Sequence, residues 1–187
     1  FMTSFYQQLS NKRQDSPALQ LCVKNTVKQL STHNTSVVRP GMLLGKIQSG
    51  KTRAFIGVIA ESFDQGYDIV IVLTKGTIAL AEQTYQRLAQ DLGEFIDNDE
   101  ISVRDIMHLP ENLTGYELQQ KIVIVVKKQT DNLRRIIKAL METYPNLGSK
   151  RLLIIDDEAD YASIGFYKSK EDTIELRKIA GQIDELR

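Results

Sequence analysis

The run Gly45-Lys46-Ile47-Gln48-Ser49-Gly50-Lys51-Thr52 satisfies the phosphate-loop pattern G-x-x-x-x-G-K-[ST] at every specified position. The pattern constrains the fold because its glycines let successive backbone N–H groups turn towards one anion. Such a loop must leave a buried strand and open a helix, whose first-turn N–H groups point at the same place. The flanks comply. Met42-Leu43-Leu44 is a short apolar run directly before Gly45, and Phe55, Ile56, Ile59 and Phe63 recur at helical spacing after it, with Gly66 as a stop. In a nucleoside triphosphate cradle, Gly45, Gln48, Ser49 and Gly50 form the turn, Lys51 reaches the outer phosphates, and the Thr52 hydroxyl ligates Mg²⁺. The plain alternative is a flexible glycine turn, which requires neither strand nor helix beside it.

A second signal lies far downstream. Leu152-Leu153-Ile154-Ile155 reads as a strand buried on both faces, and it runs into Asp156-Asp157-Glu158-Ala159-Asp160. Carboxylates this crowded repel one another unless a cation or strong donors offset them. Beside a triphosphate loop, Mg²⁺ is the expected cation. An Asp would hold it directly or through water, and the neighbouring Glu would take the proton of an attacking water. A solvated acidic turn is the bland alternative.

Bulk properties narrow the field. The 187 residues suffice for one domain with a sizeable core and fall short of two full ones. Lys and Arg total 24, as do Asp and Glu, so no global basic field announces a nucleic-acid partner, although a local basic face is compatible with this balance. Cys22 is the lone cysteine and sits among Leu19, Val23, Val27 and Leu30, so it is expected in a core, and a reducing, cytoplasmic setting follows. Two histidines and one cysteine argue against zinc and against a Cys–His couple. No apolar run is long enough to cross a bilayer, so no membrane partner is expected.

Along the chain, a helix is expected from Pro17 to Leu30, followed by a polar link from Ser31 to Pro40. Strands are expected at Met42–Leu44, Ile69–Leu73, Ile101–Met107, Ile122–Val126 and Leu152–Ile155. Helical patterns lie between them. One runs from Thr77 to Gln90, with Leu80, Ala81, Tyr85 and Leu88 on one face. Another runs from Asp131 to Tyr144, with Leu133, Ile136, Ile137, Leu140 and Met141, and a last one carries Ile174 to Leu186. Alternating strands and helices predict an α/β fold, a parallel sheet flanked by helices.

Two turns after strands fall on the ligand-facing edge of such a sheet. Thr74-Lys75-Gly76-Thr77 opens a helix, and its Thr74, Lys75 and Thr77 are candidates to hold a nucleic-acid phosphate. Lys127 and Lys128 carry the same expectation after the fourth strand, Ile122–Val126, with ordinary turns as the alternative. Tyr161, Phe166 and Tyr167 suit packing better than base stacking.

Together these residues resemble the first motor domain of superfamily-two helicases and translocases. Asp157-Glu158-Ala159-Asp160 spells the DEAD box, and Gly50-Lys51-Thr52 the first motif. The wording around them is similar to the Z-one domain found with restriction endonucleases and other defence ATPases: Gln48-Ser49 before the loop end, Gly66-Tyr67 before Ile71-Val72-Leu73, Glu82-Gln83-Thr84 with Arg87, and Asp156 with Ala162-Ser163 around the box. The likeness spans Gly41 to Arg187, and departs from the family at Ile164-Gly165-Phe166. It implies a RecA-like P-loop NTPase domain that hydrolyses ATP with Mg²⁺ and acts on double-stranded DNA, with a nuclease as possible partner. It also implies roles: Lys51 and Thr52 on phosphates and Mg²⁺, Asp157 in the Mg²⁺ shell, Glu158 as general base, and Asp160 in coupling. No role is implied for Asp156.

The resemblance implies a division into an N-terminal segment, 1–40, and an ATP-binding domain from 41 onward. A Thr-Ala-Thr-like strand end and a second motor domain with its arginine finger are expected beyond Arg187, so the sequence is read as a piece of a longer protein. Two other functions share the loop. A small-molecule kinase usually needs a lid of several arginines, for which only Arg134-Arg135 is placed, and a solvated helix face explains that pair better. A nucleotide-switched regulatory module that recruits a nuclease is compatible with the same residues. ATP is preferred to GTP because no Asn-Lys-x-Asp segment occurs.

Overall fold

A computed structural model of the chain describes residues 4–33, 50–74, 77–109, 113–144, 146–147 and 150–157. The chain divides into two compact units, Phe1–Tyr67 and Asp68–Arg187.

The first unit holds α1 (Phe5–Arg13), α2 (Pro17–Thr32) and α3 (Lys51–Asp64). The Phe5 and Tyr6 N–H groups donate to the Asp64 carboxylate at 2.8 and 2.9 Å, so an acid at the end of α3 satisfies and neutralises the start of α1. Ser16 accepts from the Leu19 N–H and Pro17 occupies the first turn, which is why α2 begins where the sequence predicts. Val23 and Val27 are fully buried, whereas Cys22 is exposed, contrary to the core position expected of it. One residue turns a side chain by about 100° around a helix, and the inward line runs through the two valines. Every residue of α3 from Phe55 to Phe63 is buried, the mark of a core helix. A Cβ at Gly57 would lie 2.9 Å from Val23 and 3.1 Å from Tyr6, so only glycine permits this approach of α3 to α1 and α2.

The second unit is built on β1 (Ile69–Thr74), β2 (Ile101–Asp105), β3 (Lys121–Lys127) and β4 (Leu152–Asp156), all parallel, in the order β2-β3-β1-β4. It is an α/β architecture, with α4 (Ile78–Asp91), α5 (Gly93–Asp97) and α6 (Thr130–Lys138) against the sheet. From β1 the chain crosses over β3 to reach β2; from β3 it crosses over β1 to reach β4. The directions are opposite, so right-handed crossovers place α4 and α6 on opposite faces. On the α6 face, Ile69, Ile71 and Leu73 of β1 and Ile122, Ile124 and Val126 of β3 pack with Leu133, Ile136 and Leu140. Val70, Val72, Val123 and Val125 occupy the alternate positions and are equally buried, which explains the unbroken apolar runs.

Three elements depart from the sequence reading. The strand predicted to reach Met107 stops at Asp105, whose side chain accepts from the Met107 N–H at 2.8 Å and turns the chain into a 3₁₀ helix, Ile106–His108. After Lys138 the helix widens into a π turn, Ala139–Thr143, so the stripe loses phase: Leu140 stays buried while Met141 is exposed. In β4 only Leu153 is buried, because among the described residues this strand pairs on one side alone, with β1. The run Met42–Leu44 and the helix expected from Ile174 lie outside the described residues.

Candidate functional site

The loop's last glycine, Gly50, has φ 75°, a left-handed backbone, and caps α3 without a side-chain hydrogen bond. Lys51 is the first residue of α3 and is exposed; Thr52 follows, half-buried. An exposed cation at a helix start that lacks a side-chain cap is chemically suited to an anion. Gly45, Gln48 and Ser49 lie outside the described residues.

The first turn of α3 is braced from behind. Both oxygens of Asp15, whose side chain is wholly enclosed, are taken by guanidinium groups: Arg13 at 2.6 Å and Arg53 at 2.7 Å. The arginines also donate across to each other's carbonyl oxygens. Arg53 stands two residues after Lys51, so this cluster fixes the helix end that carries the loop lysine.

The acidic segment stands at the carboxyl edge of the sheet, where open parallel sheets bind ligands. Asp156 is the last residue of β4 and pairs in register with Leu73 of β1. Asp157 follows, half-buried, its N–H donating to the Leu73 carbonyl at 2.9 Å. Glu158 and Asp160 lie outside the described residues.

Lys128 corrects an expectation. The sequence paired it with Lys127 as a nucleic-acid contact, but Lys128 is 2% exposed. Its ammonium donates to Asp156 Oδ1 at 2.7 Å and to the Asp157 carbonyl at 3.3 Å. Part of the compensation that the acidic run requires is therefore an internal lysine, and Asp156 acquires a partner. Thr74 is also enclosed at 1% exposure, and its hydroxyl has no hydrogen-bond partner among the described residues, so it is not displayed to a phosphate from outside. Lys127, half-buried, ends β3 in register with Thr74. Thr77 is exposed and caps α4, accepting from the Leu80 N–H at 3.3 Å; Lys75 lies outside the described residues.

The sequence reading missed Asp15, Arg53 and the Lys128–Asp156 pair. Charges of opposite sign ending two apolar runs were visible. The adjacency of those strands to β1 was not.

Among the described residues no group of three or more His, Cys, Asp or Glu side chains converges as a metal centre. Taken singly, the Thr52 hydroxyl in the first unit and the Asp157 carboxylate in the second are oxygen donors, the type that Mg²⁺ takes. Among the described residues no helix is long and apolar enough to cross a membrane. Set against known proteins, the chain matches no family model, no curated protein and no solved structure.

Proposed function

We propose that the chain is the ATP-binding part of a DNA-dependent ATPase, a helicase- or translocase-type motor of RecA-like fold within a restriction or defence system. The observation that carries this reading is the position of Asp156-Asp157 at the carboxyl edge of an all-parallel sheet, in a chain whose phosphate-loop lysine opens a helix behind a left-handed glycine. The resemblance to the Z-one wording of superfamily two supplies the DNA, the nuclease partner and the motor.

In this reading the loop N–H groups from Gly45 to Gly50 and the Lys51 ammonium bind the β- and γ-phosphates of ATP. Thr52 and Asp157 hold Mg²⁺, which when bound neutralises charge developing on the phosphates. Glu158 orients a water and accepts its proton as the water oxygen bonds to the γ-phosphorus and the bond to the ADP oxygen breaks. Asp160 links that step to motion. Lys75, Thr77 and Lys127 hold nucleic-acid phosphates, a role from which burial removes Thr74 and Lys128.

The test is calorimetric titration of Mg²⁺–ATP into the chain and into Lys51→Ala, Asp157→Ala and Glu158→Gln, with phosphate release measured with and without double-stranded DNA. Weak binding and little turnover are expected of the chain by itself, with binding lost in the first two variants and retained in the third. ATP binding indifferent to Lys51 and Asp157, or transfer of phosphate to a metabolite, overturns the reading.

A further inference from the structure

We infer that Lys128 is the positioning residue of the acidic edge, setting the direction in which the chain leaves β4 and so how Asp157 is presented. The geometry spans three strands. Lys128 follows β3, its N–H donates to the Thr74 carbonyl at the end of β1 at 2.9 Å, and its ammonium reaches past β1 to Asp156 Oδ1 and the Asp157 carbonyl at the end of β4. The Asp157 N–H is held by the Leu73 carbonyl, so the peptide groups on both sides of this residue are anchored, one by β1 and one by Lys128.

Chemistry separates this from simple packing. A buried ammonium and a largely enclosed carboxylate cost several kcal/mol to desolvate, and apolar residues of similar volume often serve stability as well or better. What an apolar pair cannot do is donate to a main-chain carbonyl one residue beyond the strand. That second contact is the one that orients the main chain at Asp157. The functional part of the inference, presentation of acids to a cation, rests on the reading under Proposed function; the anchoring does not.

The experiment uses the 187-residue chain, Lys128→Met, and the double variant Lys128→Met/Asp156→Asn. Three quantities are read: thermal midpoint, hydrogen exchange of the Asp157 amide, and the Mg²⁺ concentration that half-supports ATP binding. Lys128→Met removes the ammonium from beside a largely enclosed carboxylate and is expected to lower the midpoint, and the double variant to recover it. In the recovered double variant, Asp157 amide exchange should still be at least about tenfold faster and the half-supporting Mg²⁺ concentration raised by roughly tenfold or more, the scale seen when partners of metal ligands are removed. Exchange and Mg²⁺ response both within about twofold of the parent would overturn the inference. If the parent binds no Mg²⁺–ATP, the reading of the site fails, while amide exchange alone still decides whether Lys128 anchors the segment.

Discussion

Tyr6 is 1% exposed, and its hydroxyl has no hydrogen-bond partner among the described residues. Burial, and then the nearby Asp15 carboxylate, push its pKa up to about 12. An acid whose pKa is raised on folding contributes stability that is complete below the unfolded value, near 10, and is lost as pH rises towards the folded one. The parent chain should therefore lose up to about 1.4 kcal/mol of stability per pH unit between about 10 and 12. Tyr6→Phe has no such group and should lose less over that range, while at neutral pH it stays within about 1 kcal/mol of the parent, since the hydroxyl it removes is unsatisfied. Urea unfolding at pH 7, 10 and 11.5 checks both; equal alkaline losses in the two proteins would contradict the assignment. Tyr6 also marks the limit of reading single residues. Nothing in its neighbours along the chain announces that it is enclosed against Gly57, because that contact depends on how α1 meets α3.

At the scale of elements, the strands were legible because both faces of the sheet are covered and their apolar runs are unbroken, as in Ile69–Leu73 and Ile122–Val126. The start of α2 was legible because Pro17 follows Ser16. By contrast, α1 has little apolar periodicity and takes its first donors' partner from Asp64, an acid far away in sequence. The π turn after α6 and the Asp105 cap shifted faces and ends by a residue or two, which pattern counting does not resolve.

Strand order was not legible, and Asp68 shows why it matters. At the amino edge, Asp68 takes the Lys121 ammonium at 2.9 Å and the Arg151 N–H at 3.3 Å, tying β1 to the starts of β3 and β4. Burial by itself raises the Asp68 pKa, but the hydrogen bond and charge of Lys121, with help from Arg151 and Lys150, outweigh it and hold the carboxyl below its usual range. A depressed acid contributes stability that is complete above the unfolded value, near 3.9, and lost as pH falls through the lower folded value. The parent should exceed Asp68→Asn by about 1 kcal/mol at neutral pH, a modest figure because both partners are partly solvated. Acid titration of the two proteins should show that gap closing only below about pH 4. A gap that does not change between pH 7 and 2 would refute the pairing.

For the molecule as a whole, fold class followed from alternation of strand and helix, while the division after Tyr67 did not, because it reflects α3 packing with α1 and α2. Of the proposed site, the loop lysine and the acidic run were legible as motifs; the lysine that anchors the acids was not. Charge balance sets a whole-molecule expectation for DNA. With 24 basic and 24 acidic residues, DNA binding on the proposed reading would draw on a local set, of which burial of Lys128 leaves Lys75 and Lys127 as the proposed lysines. Two or three phosphate contacts correspond to a slope of log affinity against log salt of about −2 to −3. Fluorescence anisotropy across a salt series measures it, and a slope steeper than about −5 would mean that a larger basic face has been overlooked.

The Asp68 and Lys128 ties together make the sheet behave like a plank bolted at both ends. A shift of Asp156 or Asp157 would pull on Lys128 and on the Leu73 carbonyl, and so on the ends of β3 and β1.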